Sequence, residues 1–229
     1  MEPASRSIRG VIFDLDGTLY VMRWRLQFYL FFALFPSGVR LPGFLAVRQT
    51  CAGIDFQSRD RLLDEVCGKL AVAAKISDSD ALRWIDQSFY LAFINAMRHF
   101  RRSRPALSEF LSKLRSHHVQ LAVLSDYGRV VERLEKLGIE PARFDTIASC
   151  EDAGALKPHK RPFLEIAREW GIHPSEIVVV GDRTDTDGIA AGSAGMQFVH
   201  VSDARHMPPG ATRWSGVVTE LIRRMRAEG

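Results

Sequence analysis

Three short apolar runs constrain this chain most: Gly10 to Phe13, Val119 to Leu124 and Ile177 to Val180. Each is rich in Val, Ile or Leu, and each leads into polar residues, namely Asp14, Ser125 and the pair Gly181-Asp182. Apolar runs this short, closed by a turn or a helix start, read as strands buried on both faces. Two weaker runs, Asp145 to Ala148 and Gln197 to Val201, extend the set. Helical patterns lie between them. Pro105 to His117 carries Leu107, Phe110, Leu111 and Leu114 on one face. Arg129 to Leu137 stops at Gly138, Pro162 to Trp170 precedes Gly171, and Asp187 to Ala194 precedes Gly195. A glycine just past the last periodic residue ends a helix. Strand alternating with helix predicts an α/β fold: a parallel sheet with helices on both faces and right-handed crossovers.

The stretch from Tyr20 to about Ser103 breaks that rhythm and shows no convincing strand. Asp60 to Lys75 and Ser79 to Phe100 read as helices, with Ser77 or Asp78 as N-cap of the second, and Pro36 to Gly43 interrupts an earlier helical piece. The region is predicted to be an all-helical insertion after the first strand. A chain of 229 residues is long enough for one core with such an insertion. Its 46% hydrophobic and 25% charged residues are ordinary globular values, which excludes disordered and collagen-like readings. A formal charge of +4 is too small to predict nucleic-acid binding and is compatible with a small anionic substrate. Cys51, Cys67 and Cys150 form no CxxC pair, so a structural zinc site has no support and reduced thiols are expected. Met1 to Gly10 lacks a signal-peptide core, and no run reaches about 18 apolar residues. The expectation is a cytoplasmic protein without a transmembrane segment.

Asp14 and Asp16 stand two apart at a predicted strand end, where period-2 geometry sends both side chains to one side. Two carboxylates there call for a cation, and Mg²⁺, a hard ion with oxygen ligands, is the natural one. Gly17-Thr18 supplies a tight turn with amide donors and a hydroxyl, although Asp-Gly is also a common plain turn. Ser125 could hold a phosphate oxygen or merely cap a helix. Lys157, in a loop after the fourth run, could neutralise a nucleophile and a phosphate, or could be solvated. Asp182 ends the run Ile177 to Val180, and Asp187, five residues on, suits either a metal or a helix N-terminus. All of these residues follow predicted parallel strands, whose carboxyl ends are where open α/β sheets bind ligands.

The segments Asp14-Leu15-Asp16-Gly17-Thr18, Ser125, Lys157-Pro158 and Gly181-Asp182 with Asp187 to Gly195 resemble, in order and spacing, those of the haloacid dehalogenase superfamily of phosphatases. The likeness covers roughly Gly10 to Leu19 and Pro105 to Val201, and the helical insertion resembles the C1-type cap. It implies a Rossmann-like, doubly wound parallel-sheet core over residues 1–19 and 104–229, and an all-helical cap domain over 20–103. It further implies that Asp14 attacks phosphorus and becomes an aspartyl phosphate, with Asp16 as general acid and base. Asp14, Asp16 through its backbone carbonyl, and Asp182 would hold Mg²⁺, with Asp187 behind them or on a metal-bound water. Ser125 and Lys157 would stabilise the transferring phosphoryl group, and Thr18 and Asp126 would line the phosphate site. Many relatives carry Asn where this chain has Asp126. Its carboxylate is expected to point away and cap the helix beginning near Gly128. An aspartate at position 16 favours a phosphate ester over a haloacid. The expected function is hydrolysis of a small phosphorylated metabolite. A phosphosugar mutase on the same scaffold is an alternative, as is a non-catalytic protein that docks a partner or membrane. The intact set Asp14, Asp16, Ser125, Lys157 and Asp182 argues against the last.

Two segments of the insertion stand apart. Phe28 to Phe35 is apolar all round, and eight helical residues cover about 12 Å, far short of a bilayer. Such a helix is usually buried, so the interior of the cap is expected. A dimer contact or a weak membrane-surface contact, helped by Arg23, Trp24, Arg25 and Arg40, is the alternative. Arg98, Arg101, Arg102 and Arg104 cluster where the insertion returns, as a solvated hinge or as a contact to an acidic substrate. Tyr20 to Ala33 and the loops near Gly53 are candidates for substrate choice.

Overall fold

The computed structural model describes residues 7–21, 24–35, 38, 40–97 and 103–226. Six strands form one sheet: β1 (Gly10–Phe13), β2 (Gln120–Ser125), β3 (Thr146–Ser149), β4 (Ile177–Gly181), β5 (Gln197–Val201) and β6 (Ala211–Thr212). Their order is β3-β2-β1-β4-β5-β6 and every pairing is parallel. This is the doubly wound, Rossmann-like order, in which the winding direction reverses beside β1. Register decides what meets at that reversal. Phe13 lies opposite Val123 on one side and Val180 on the other, so the residues just beyond all three strands converge at one edge. The Asp14 amide continues the ladder, donating to the Val180 carbonyl at 2.9 Å.

The apolar runs are continuous because both faces of the central strands are covered. Val11, Ile12 and Phe13 are fully buried, as are Leu121 to Leu124 and Ile177 to Val180. Helices α6 (Leu107–Ser116), α7 (Val130–Leu137), α8 (Cys150–Ala153), α9 (Arg161–Trp170), α10 (Ile189–Ala194) and α11 (Trp214–Arg226) complete the layers. Between β1 and α6 the chain is helical, with α1 (Trp24–Leu34), α2 (Arg40–Cys51), α3 (Arg59–Ala74), α4 (Asp78–Trp84) and α5 (Tyr90–Met97). Here α1 to α11 follow chain order. The aromatic residues Phe44, Trp84, Phe89 and Phe93 form the centre of this insert, with Phe44 and Phe89 ring centroids 4.6 Å apart. The two ends of the insert meet: Tyr20 and Ser103 form an antiparallel bridge, and the Arg104 amide donates to the Leu19 carbonyl.

Several expectations change. The helix expected over 79–100 begins at Asp78 with Ser77 as N-cap, but a π-helical turn, Ile85–Phe89, separates α4 from α5. The wider turn rotates the apolar face so that Trp84, Ile85, Phe89, Tyr90 and Phe93 are all buried. Gly43 does not interrupt a helix. It lies inside α2, whose first turn accepts Pro42 because the first N–H groups have no helical partner. The apolar segment of α1 is not a buried core helix. Leu34 is buried and Tyr29 and Leu30 are partly covered, but Phe28, Phe31, Phe32 and Phe35 are 55%, 49%, 66% and 65% exposed. β6 and α11 add to the elements expected from the sequence. Trp214 anchors α11 by donating its indole N–H to the Pro105 carbonyl and by an edge-to-face contact with Phe110. The three cysteines are free and buried, and no described helix is long and apolar enough to cross a membrane.

Candidate active site

The chain leaves β1 at Asp14 and turns at once, with the Leu19 amide reaching back to the Leu15 carbonyl. Gly17 makes that turn possible at φ +85°, and a Cβ there would lie 2.1 Å from Asp182 Oδ2. Glycine therefore serves both the backbone conformation and the close approach of Asp182. Arg104, buried, braces the turn from behind. Its Nε donates to the Thr18 carbonyl and its Nη2 to the Gly17 carbonyl, both at 2.7 Å, and Nη1 pairs with Asp203 at 2.6 Å. Of the arginine cluster, Arg98, Arg101 and Arg102 lie outside the described residues. Arg104 is neither a solvated hinge nor at the surface.

Asp14, only 7% exposed, is held from both sides. Thr18 Oγ1 donates to Asp14 Oδ2 at 2.9 Å, and Lys157 Nζ donates to Oδ1 at 2.7 Å. The same ammonium lies 2.8 Å from Asp187 and donates to the Leu124 carbonyl at 2.9 Å. Asp14, Asp182 and Asp187 bring carboxylate oxygens within 4.8 Å of one another. Asp187 thus stands in the same cluster of carboxylates as Asp14 and Asp182. A Cβ on Gly181 would meet the Asp187 carboxyl carbon at 2.5 Å, so this approach too depends on glycine.

One lysine cannot compensate this many acids. Burial above all, then Asp187, Asp16 and Asp182, pushes the Asp14 carboxyl well above its usual value despite the pull of Lys157. Burial and then Asp187 raise Asp182 to about 7. Lys157 resists the effect of its own burial and is driven up by Asp14 and Asp187. A compact set of hard carboxylate oxygens with too little positive charge fits a divalent cation of the Mg²⁺ type.

Asp16 faces elsewhere. Its carboxylate accepts from Tyr20 Oη at 2.6 Å and from Ser125 Oγ at 3.1 Å, and both oxygens are bound by Arg133 Nη2. Burial alone would raise this carboxyl, but the charge and hydrogen bonds of Arg133, with Tyr20 and Ser125, hold it below the usual carboxylate range. The Asp16 side chain is therefore separate from the group Asp14, Asp182 and Asp187. A metal contact from residue 16 would have to come from its backbone carbonyl. Ser125 is in place at the end of β2, where it also accepts from the Tyr127 amide at 3.2 Å and from Arg133 Nη1 at 2.9 Å. The carboxylate of Asp126 accepts the Lys157 amide at 2.9 Å and does not cap α7. It thereby ties the β2 loop to the lysine loop. Thr18, expected to face phosphate, is spent on orienting Asp14.

Arg133 has no place among the residues expected from the sequence, and Tyr20 and Arg104 are expected there only as part of a substrate-choice segment and of an arginine cluster. Arg133 carried a signal: in α7 it falls on the buried stripe of Val130, Leu134 and Leu137, a place where a charge needs a partner.

Comparison with known proteins agrees with this geometry. Residues 8–195 match the hydrolase family described as haloacid dehalogenase-like. The glyceraldehyde 3-phosphate phosphatase of Methanocaldococcus jannaschii is 27% identical over 212 residues, 87% of each chain. The phosphoglycolate phosphatase of Yersinia pestis is 26% identical over 192 residues, 83% of this chain and 79% of that one. Among solved structures, the 2-haloacid dehalogenase of Pseudomonas syringae pv. Tomato superposes with a TM-score of 0.64 at 22% identity, over 95% of this chain and 99% of that one. This last likeness is one of fold.

Proposed function

This chain belongs to the haloacid dehalogenase-like hydrolases, and on that premise we propose that it is a Mg²⁺-dependent phosphatase of a small phosphorylated metabolite, acting through an aspartyl phosphate on Asp14. The observation that carries this reading is Lys157 Nζ, 2.7 Å from Asp14 Oδ1 and 2.8 Å from Asp187, at the carboxyl ends of the central strands. Lys157 is the one group that opposes the rise imposed on the Asp14 carboxyl by its burial and by the neighbouring carboxylates. The matched relatives named as phosphatases of glyceraldehyde 3-phosphate and phosphoglycolate support the class of substrate.

An Asp14 oxygen attacks phosphorus and the bond to the ester oxygen breaks. Asp16, protonated for this half, gives its proton to the departing oxygen. Asp16 then takes a proton from water as that water attacks the aspartyl phosphate, releasing phosphate and restoring Asp14. Arg133 holds Asp16 in the ionised form that the second half requires. Asp14, Asp182 and Asp187, with the Asp16 carbonyl, would hold Mg²⁺, which neutralises charge on the phosphoryl oxygens. Lys157 and the Ser125 hydroxyl serve the same charge from the protein side. Residues 20–103 act as a cap hinged at the Tyr20–Ser103 bridge, on a core of residues 1–19 and 104–229. The burial of Asp14 fits a cap that opens for substrate and closes to exclude water.

The test is release of p-nitrophenol from p-nitrophenyl phosphate. It is expected to require Mg²⁺, to stop with a chelator and to vanish in Asp14→Asn. Activity that persists in Asp14→Asn removes the assigned nucleophile.

A further inference from the structure

We infer that the open face of α1 docks on an anionic lipid surface. Phe28, Phe31, Phe32 and Phe35 recur at intervals of three and four residues, which puts them on one side of a helix. All four are exposed. Their rings form one continuous row, with centroids 6.2 Å apart for Phe28 and Phe32, 5.8 Å for Phe31 and Phe32, and 5.7 Å for Phe31 and Phe35. The other side of α1 is already occupied: Leu34 is buried, Tyr29 and Leu30 pack on the core, and the helix lies against α5. One apolar side thus seats α1 in the insert, and a second faces solvent. Contiguous apolar surface of this kind marks a contact with another body.

Charge selects that body. Residues 17–54 contain no acidic side chain, and their basic ones are Arg23, Arg25, Arg40 and Arg48. Arg48 is committed inside the molecule to Glu151. Arg25 stands in the first turn of α1, and Arg40, partly exposed, opens α2 five residues past Phe35, at most about 18 Å away along the chain. Aromatic rings flanked by guanidinium groups match the two layers of an anionic lipid surface: the rings enter the acyl boundary and the arginines meet phosphate. A second copy docked through the same helix would set these arginines against their equivalents, with no acid in the segment to answer them. The area is also too small for it. Four half-exposed phenylalanines offer roughly 400 Å², against about 800 Å² per partner in a stable protein interface. A single helix face with flanking arginines gives a reversible, salt-sensitive attachment to lipid.

The test is cosedimentation of the full chain with vesicles of mixed phosphatidylglycerol and phosphatidylcholine, or of phosphatidylcholine alone. A chelator is present, so that the carboxylates at Asp14 play no part. Binding to the mixed vesicles at low salt is expected to be at least about tenfold stronger than to phosphatidylcholine, since each arginine near the surface contributes about fivefold. Salt at about 0.5 M should remove most of that difference. Phe31→Ser/Phe32→Ser should weaken binding at least about tenfold. Arg25→Gln and Arg40→Gln should each weaken it about fivefold. Val72→Ser, at an exposed apolar residue of α3, should leave it unchanged. Far-UV circular dichroism verifies the fold of each variant. Should the serine pair fail to fold, the two vesicle compositions and the arginine variants still decide. No binding to mixed vesicles at low salt, equal binding to both compositions, or binding retained in Phe31→Ser/Phe32→Ser overturns the inference. A dimer in sedimentation velocity that Phe31→Ser/Phe32→Ser dissolves, with no vesicle binding, also overturns it and assigns the face to a second copy.

Discussion

At the scale of single residues, the charge balance around Lys157 governs the site. Asp182, raised to about 7 by burial and by Asp187, binds a proton more tightly in the folded chain than in the unfolded one. A carboxyl raised in this way contributes stability that is full below the unfolded value of about 4 and is lost as pH rises through 7. A divalent cation replaces that proton. Mg²⁺ is therefore expected to raise Tm more at about pH 8 than at about pH 6, because at the lower pH it competes with a proton on Asp182. At a hundredfold excess over Kd the gain is about 2.7 kcal/mol, or roughly 5–10 °C for a chain of this size. Differential scanning calorimetry with and without the metal checks this. An increment independent of pH would contradict the proposed role of Asp182.

At the scale of elements, Arg104 fixes the turn after β1. Asp203, its ionic partner, is 39% exposed, whereas the Gly17 and Thr18 carbonyls it binds are enclosed. Arg104→Met is expected to cost about 2–4 kcal/mol, because two carbonyls lose their donors. Asp203→Asn should cost under about 1 kcal/mol, as for a surface ion pair. Urea unfolding of both variants tests this, and equal losses would mean that the ion pair is the important contact. The same elements show what can be read from a sequence. β1, β2 and β4 were legible because burial on both faces leaves an unbroken apolar run. β6 was not, since two residues carry no pattern. The break between α4 and α5 was hidden because a π turn changes which residues face inward without changing their composition. The exposure of Phe31 and Phe32 was equally hidden, since apolarity all round does not say which side finds a neighbour.

At the scale of the whole molecule, a buried ion pair ties α2 of the insert to α8 of the core. Arg48 of α2 donates to Glu151 of α8 and to the Asp126 carbonyl, both at 2.7 Å, and stacks over Tyr127, while Tyr90 of α5 donates to the same carboxylate at 2.6 Å. Glu151 is 1% exposed. Arg48→Met is expected to lower stability by about 3–5 kcal/mol by stranding that carboxylate, and adding Glu151→Gln should recover part of the loss. Strictly additive losses in a double-mutant cycle would show that the two residues are uncoupled. Contacts of this kind were beyond the sequence, because partners 103 residues apart leave no local trace. The candidate set was legible for the opposite reason: Asp14, Ser125 and Asp182 stand at the ends of β1, β2 and β4, and the ends of neighbouring strands meet. The proposed role of Asp14 as nucleophile is tested most directly by chemical trapping during turnover. The protein is quenched with borohydride while it hydrolyses a phosphate monoester in Mg²⁺, and its peptides are read by mass spectrometry. An aspartyl phosphate at position 14 is predicted to appear as homoserine there, only when substrate and metal are present. Reduction at another aspartate, or none at all during sustained turnover, would contradict it.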